Sequence, residues 1–261
     1  MKVLVIPDIH GRKFWREAIK NYSEQVDKII FLGDYLDPYS NEIEENQELM
    51  ECNDFYDCVG LSNMLNDIIS LKKNELDKYI LLTGNHTDSY IWSKFHAATR
   101  TDYRNWEKYH KIFLENLNLF NLIWVENNVI FSHAGISEDW ARVYCASNNI
   151  KFSSILDTAK ILQNLSLKTY NHTIGNISYY RGGDYNHGSC EWADLREHVD
   201  MEKSTIDKIV PKGDSNIFQV FGHTQLKAPL ITDKWDCIDC RKGFIFDTDT
   251  FSIEDGSDNS L

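Results

Sequence analysis

Hydrophobic positions along the chain fall into short continuous runs, at residues 3–7, 29–32, 79–82, 129–131 and 217–221, each too short for a helix and rich in β-branched or aromatic side chains. These runs read as buried strands. Between the early ones the period changes: Phe14, Ala18, Ile19 and Tyr22 recur at helical spacing, predicting an amphipathic helix over 13–25 and a βαβ unit with parallel strands and a right-handed crossover. An acid-rich stretch over 43–73 predicts a long helix, broken or bent near Gly60. Further helices are expected over 90–98, 106–117, 137–147 and 153–165, with a short one over 191–201. Residues 123–125 and 129–131, joined across Glu126-Asn127-Asn128, predict a hairpin, because asparagine tolerates the positive φ of a tight turn. Residues 37–41 and 169–189 lack either period and read as loop. Strands return at 217–221, 230–232, 235–238, 243–247 and 251–253, and no internal repeat is visible. Strands alternating with helices place the chain in the α/β class, as one domain over residues 1–253 with a polar tail over 254–261 expected to fray.

A chain of 261 residues buries a large core without disulfides. Its six cysteines show no framework spacing and the first residues run straight into a strand, so they read as reduced thiols of a cytoplasmic protein. Cys237-Ile238-Asp239-Cys240 has metal-site or redox spacing, but with no second such pair it reads as strand residues. No apolar stretch approaches the ~20 residues of a membrane span. The net charge of −13 excludes a broad phosphate-binding surface, so no duplex nucleic-acid partner is expected. A small phosphorylated substrate or phosphopeptide stays compatible with that charge, because bound cations can supply the local positive field. No obligate protein partner and no membrane partner is inferred.

The polar residues at the end of each apolar run change the picture most. The first run leads into Asp8-Ile9-His10, the second into Gly33-Asp34-Tyr35-Leu36-Asp37, and the third into Gly84-Asn85-His86. The fourth leads into Ser132-His133-Ala134-Gly135 and the fifth into Gly222-His223-Thr224. Ligands of open α/β sheets bind beyond the carboxyl ends of the strands, so five strand ends are expected to bring these groups to one rim. Taken singly, each cluster has an ordinary reading as turn aspartates, helix caps or backbone-satisfied histidines. Together they form an oxygen and imidazole donor set, suited to manganese, with iron or zinc as alternatives. A carboxylate directly after a strand, such as Asp34, can bridge two cations about 3.5–4 Å apart, the spacing of two-metal phosphotransfer sites.

These motifs, in this order, resemble the calcineurin-like metallophosphoesterase superfamily. Ser132-His133-Ala134-Gly135 and Gly222-His223-Thr224 are most similar to its phosphoprotein-phosphatase branch, which includes bacterial and bacteriophage serine/threonine phosphatases and symmetrical dinucleoside-tetraphosphate hydrolases. The resemblance implies a four-layer αββα sandwich of two mixed sheets. It also implies two divalent metal ions: Asp8, His10 and Asp34 on the first, with Asp34, Asn85, His133 and His223 on the second. His86 is implied as general acid toward the leaving-group oxygen, with Asp37 orienting its ring. Arg12 and Arg181 are candidate phosphate contacts, since a guanidinium offers paired donors. Gly188-Ser189-Cys190-Glu191-Trp192 resembles a substrate-side segment of that branch.

Three departures bear on the substrate. Pro38 stands where phosphoprotein phosphatases have an arginine, Thr87 replaces an acidic residue, and Gln225 stands where the wider superfamily often has another histidine. The implied function is a dinuclear-metal-dependent phosphoesterase in which a metal-bridging hydroxide attacks phosphorus in line, read here as a phosphomonoesterase. The alternatives are a phosphodiesterase or nucleotide pyrophosphatase, acting on a dinucleoside polyphosphate or cyclic nucleotide, and a non-catalytic metal-binding scaffold. His96, His110, His172, His187 and His198 read as ordinary residues, His187 being the one nearest a motif.

Overall fold

A computed structural model of the chain describes residues 1–94, 99–169, 171–205, 208–214 and 216–255. In chain order the elements are β1 (Lys2–Ile6), α1 (Phe14–Tyr22), β2 (Lys28–Phe31), α2 (Ser40–Glu45), α3 (Cys58–Asn74), β3 (Tyr79–Leu82), α4 (Asn85–Trp92), α5 (Trp106–Glu115) and β4 (Phe120–Asn121). They continue with β5 (Ile123–Glu126), β6 (Val129–Ser132), α6 (Glu138–Ser147), α7 (Ile155–Gln163), β7 (Phe218–Phe221), β8 (Leu230–Ile231), β9 (Trp235–Cys237), β10 (Phe244–Asp247) and β11 (Ser252–Asp255). They fall into two compact units, residues 1–120 with 241–261, and residues 121–240.

The first unit carries a mixed sheet in the order β11-β10-β1-β2-β3-β4. β1, β2 and β3 are parallel, with Ile6 opposite Phe31 and Phe31 opposite Leu81, so their carboxyl ends emerge side by side. β10 runs antiparallel to β1, and β11 to β10. Val3 to Ile6, Ile29 to Phe31 and Leu81 to Leu82 are fully buried, as continuous apolar strands require when both faces are covered. The second unit carries a five-stranded mixed sheet in the order β5-β6-β7-β9-β8. Here β6, β7 and β9 are parallel, Phe131 opposite Val220 and Phe221 opposite Cys237, so the segments after β6 and β7 leave the same edge of that sheet. The expected hairpin is β5–β6, with Asn127 at φ 53°.

Several expected boundaries move for identifiable reasons. The helix read over 43–73 is two helices, α2 and α3, separated by a 3-10 turn at Gln47–Leu49 and a polar loop. Its break is not at Gly60. Asp57 caps α3 by accepting from the Gly60 amide at 3.0 Å, and Gly60 lies inside the first turn, where a Cβ would stand 2.2 Å from the Glu51 carbonyl oxygen. Glycine is there for close approach rather than for a bend. The start of α2 at Ser40 also shortens the loop expected over 37–41. The helix expected over 90–98 begins earlier, at Asn85, and ends at Trp92, where Ser93 turns left-handed at φ 55°; residues 95–98 lie outside those described, and with them His96. Residues 191–201 hold only a 3-10 turn, Leu195–His198, closed by a capping box between Asp194 and Glu197. Glu254 and Asp255, read as tail, pair with Ile245 and Phe244 in the sheet, whereas residues 256–261 lie outside those described. No described helix is long and apolar enough to cross a membrane.

Candidate functional site

In the first unit the parallel strands deliver three loops to neighbouring positions. The Ile9 and His10 amides both donate to the Asp34 carbonyl oxygen, at 3.0 and 2.8 Å, and the Gly11 amide donates to that of Tyr35 at 3.0 Å. The backbones after β1 and β2 are thereby fixed to each other. His10, Asp34 and Asp37 all adopt left-handed conformations, with φ of 45°, 45° and 61°. Such residues cost roughly 1 kcal/mol or more each, and concentration in these two loops marks them as held in place by their surroundings. Gly33, at φ 112°, lets the second loop pass the third, since a Cβ there would stand 2.6 Å from the Thr83 carbonyl oxygen.

Asp8, His10, Asp34, Asp37, Asn85 and His86 are all buried. Donor atoms of His10, Asp34 and His86 lie within 4.8 Å of one another, a grouping able to hold a metal ion. His10 Nδ1 lies 2.9 Å from the Leu36 carbonyl oxygen, so this nitrogen carries the hydrogen and Nε2 keeps its lone pair, 3.6 Å from Asp34 Oδ2. Burial, chiefly, lowers the His10 pKa well below its ordinary value, with the nearby His86 and Arg100 adding to the effect, and a neutral imidazole is the form that ligates. Asp34 Oδ1 accepts from the His86 amide at 3.0 Å, which places the carboxylate at the start of α4, where the backbone N–H groups of a helix favour negative charge. The set consists of carboxylate, carboxamide and imidazole donors, with no thiolate among them. It fits a hard or borderline divalent cation.

The His86 ring is held from behind. Its Nδ1 lies 2.7 Å from Asp37 Oδ2, while Tyr90 Oη donates to Asp37 Oδ1 at 2.5 Å and accepts from the Asp102 amide at 2.8 Å. His86 and Tyr90, four residues apart on α4, reach the same carboxylate from one helix face. Asp37 thus fixes the tautomer and direction of the ring, leaving Nε2 as the nitrogen not engaged by that carboxylate. Tyr90 is a supporting residue that the motifs did not point to; its i, i+4 relation to His86 was the signal available.

Arg12, expected to contact phosphate, is committed elsewhere. Its Nε and Nη2 donate to Glu42 Oε2 and Oε1 at 2.6 and 3.0 Å, and its Nη1 donates to the Asp8 carbonyl oxygen at 3.2 Å, all of it buried. Arg241 donates to the same Glu42 at 2.5 Å. A guanidinium that sequence reading passed over, that of Arg100, lies against the loops instead. It sits 3.5 Å over the Tyr39 ring, with Nη2 donating to the Asp37 carbonyl oxygen at 2.9 Å.

In the second unit, His133 follows β6 and His223 follows β7, and His133 Nε2 lies 3.1 Å from His223 Nδ1. Their loops are joined by the Gly222 amide donating to the His133 carbonyl oxygen at 2.8 Å, and His223 takes φ 65°. Two imidazole nitrogens so close share either a hydrogen or a cation. Ala134 is tied by its amide to the Cys190 carbonyl oxygen at 2.7 Å, which brings the Gly188–Trp192 segment beside this loop. Arg181 lies with Nε 2.9 Å from Asp194 Oδ2 and with Nη2 hydrogen-bonded to the Thr224 hydroxyl, next to His223. His198 is a core residue, packed on Phe221 and Trp235, and Cys237 Sγ donates to the Gly222 carbonyl oxygen at 3.5 Å.

The chain belongs to the calcineurin-like phosphoesterase family, whose sequence model matches residues 1–226. It is a metal-dependent hydrolase of phosphoric ester bonds. Its two mixed sheets with helices are the α/β architecture of that family. Among solved structures it is similar to a cold-active protein-tyrosine phosphatase of a psychrophilic Shewanella species, with a TM-score of 0.58 and 14% identity over 97% of this chain and 80% of that one. It is also similar to a protein serine/threonine phosphatase from Saccharomyces cerevisiae that resembles human phosphatase PP5, with a TM-score of 0.52 and 13% identity over 94% of this chain and 71% of that one. At these identities the likeness is one of fold. No curated protein sequence matches the chain.

Proposed function

We propose that the protein is a dinuclear-metal phosphomonoesterase acting on a small phosphorylated substrate or a phosphopeptide. The observation that carries the reading is the ring of His86, fixed through Nδ1 by Asp37 at 2.7 Å beside a buried grouping of donor atoms from His10, Asp34 and His86 itself. By the family resemblance His86 is no metal ligand, and a carboxylate on its Nδ1 supports the charged ring that would deliver a proton. On the family resemblance, Asp8, His10 and Asp34 hold the first cation, and Asp34, Asn85, His133 and His223 the second. Manganese suits this donor set, with iron or zinc as alternatives. The cations, when bound, activate water and neutralise charge that develops on the phosphoryl oxygens. The residues of the chain do the rest. Asp34 and His10 keep the donors aligned through their locked backbones, and His86 Nε2 carries the proton that passes to the departing oxygen. Asp37 compensates the charge of the ring that carries it. The cysteine spacing in the sequence supports a cytoplasmic setting.

The test is turnover of p-nitrophenyl phosphate by purified protein loaded in turn with manganese, nickel, iron and zinc, with metal content measured for each. Hydrolysis is expected, strongest with manganese. Absence of turnover by metal-loaded protein would falsify the reading. His86→Asn is expected to keep its metal and lose about 10²–10⁴ in kcat, the usual contribution of a positioned acid; an unchanged rate removes His86 from the role of general acid, and the scaffold class is reached only if metal-loaded wild type shows no turnover. Turnover of bis-p-nitrophenyl phosphate, a dinucleoside polyphosphate or a cyclic nucleotide alone, without the monoester, assigns it to the diesterase and pyrophosphatase class.

A further inference from the structure

The guanidinium of Arg100 has few of its donors satisfied by the protein. Its Nε and Nη2 both point at one acceptor, the Asp37 carbonyl oxygen, at 3.2 and 2.9 Å. The contact between Nη2 and His10 Nδ1 at 3.3 Å joins two donors, since that nitrogen of His10 already gives its hydrogen to Leu36, so it holds no bond. Among the described residues, Nη1 has no acceptor and no carboxylate pairs with the side chain. A half-buried cation is thus left with hydrogens to give, beside the loop after β2 that carries the buried Asp34 and Asp37.

Its position is set on several sides. The plane rests 3.5 Å over the Tyr39 ring, and Tyr39 in turn meets the His10 ring edge-on at 5.3 Å. The adjoining backbone is pinned to α4: Thr101 Oγ1 donates to Ser89 Oγ at 3.0 Å, and the Asp102 amide donates to Tyr90 Oη at 2.8 Å. Arg100 therefore stands at the junction of the β1 loop, the β2 loop and α4, the elements that carry His10, Asp37 and His86. Arg12, the other guanidinium near these loops, spends its fork on Glu42.

We propose that Arg100 is the residue that binds the phosphoryl oxygens of a terminal phosphate and selects monoesters over diesters. The proposal rests on the phosphoesterase reading and deepens it. A planar fork with unengaged hydrogens pairs in bidentate fashion with two non-bridging oxygens. A terminal phosphate monoester presents three such oxygens and up to two negative charges, whereas a diester presents two oxygens and one charge. The stacking on Tyr39 removes much of the side-chain entropy that ordering would otherwise cost on binding.

The experiment compares wild type, Arg100→Ala and Arg100→Lys, each loaded with manganese and checked for metal content and melting temperature. The readouts are kcat and KM on p-nitrophenyl phosphate and on its bis ester, together with calorimetric binding of inorganic phosphate. Arg100→Ala is expected to lose about 100-fold in kcat/KM on the monoester, the usual effect of one oriented donor, with a loss several-fold smaller on the diester and weaker phosphate binding. Arg100→Lys, which keeps the charge without the fork, is expected to fall between the two and still bind phosphate. Equal losses on mono- and diester, or phosphate binding unchanged in Arg100→Ala, overturn the proposal, since a residue that only holds the Asp37 backbone would affect both substrates alike. If Arg100→Ala does not fold, a selective monoester defect in Arg100→Lys supports the proposal and wild-type selectivity overturns it. If wild type binds metal yet hydrolyses neither ester, the phosphoesterase reading fails separately, and phosphate binding alone decides the role of Arg100.

Discussion

Each carboxylate oxygen of Asp37 has its own donor, His86 Nδ1 on one and Tyr90 Oη on the other, and Asp37 itself sits at φ 61°. Removing the phenol hydroxyl in Tyr90→Phe leaves the carboxylate free to rotate and the Asp102 amide without its acceptor. The expected result is a drop of about 10-fold in kcat, corresponding to roughly 1.4 kcal/mol, with KM and metal content near wild type. Asp37→Asn should cost more, because an amide nitrogen turned toward His86 Nδ1 would favour the opposite tautomer. Steady-state kinetics on both variants check the order of the two effects. The polar residues that could hold a metal were legible as candidates in the sequence because each stands in the segment just after a strand. The supporting residues were not. Arg12 reads from sequence as a candidate phosphate contact because its partner, Glu42, lies 30 residues away in an acid-rich stretch where no single glutamate stands out. Arg100 has no strand before it, and nothing in its immediate neighbours marks it.

The segment between α2 and α3 braces the β1 loop. The Glu51 amide donates to the Gly11 carbonyl oxygen at 2.7 Å, the Lys13 amide to that of Leu49 at 2.8 Å, and Met50 bridges Arg12. Gly60 allows α3 to pack against this brace, its absent Cβ being 2.2 Å from the Glu51 oxygen. Gly60→Ala is therefore expected to push Glu51 away from Gly11 and destabilise the fold by about 1–3 kcal/mol, although the same exchange in an unobstructed helix is favourable. Thermal unfolding and manganese titration check it, with weaker metal binding expected alongside a lower melting temperature. Reading Gly60 as a helix break followed composition. The better signal was the polar cluster Asn53-Asp54 followed by Asp57, an N-cap three residues ahead of Gly60. The strands β1, β2, β3 and β6 were legible because each is essentially a continuous apolar run, buried on both faces. The sheet order was not, because strand pairings such as β1 with β10 leave no local trace.

At the scale of the molecule, two buried groups of the second unit act on stability in opposite directions. Burial lowers the His198 pKa to about 4, and burial raises that of Asp236 on β9 to about 7. Between pH 4 and about 6.5 the unfolded chain binds one proton more than the folded one at His198, which favours folding as pH rises. Between about 3.9 and 7 the folded chain binds one proton more at Asp236, so stability from that group is present at low pH and is lost as pH rises toward 7. The two slopes oppose each other over their shared window. Asp236→Asn should unmask His198, giving stability that rises by about 3 kcal/mol from pH 4 to 6.5, and should exceed wild type above pH 7. Denaturant titrations across that range measure both.

The first unit is made of two stretches of chain separated by the whole of the second, and β1 finds its antiparallel neighbour only when Phe244–Asp247 has been made. At ribosomal speeds of about 5–20 residues per second, one flank of β1 stays unpaired for on the order of ten seconds or more while the inserted unit is translated. A nascent polypeptide in that interval presents an apolar strand with an open edge, the usual target of holding chaperones. Translation pauses placed within codons 121–240 would lengthen the exposure, so synonymous changes there should alter soluble yield without altering a single side chain.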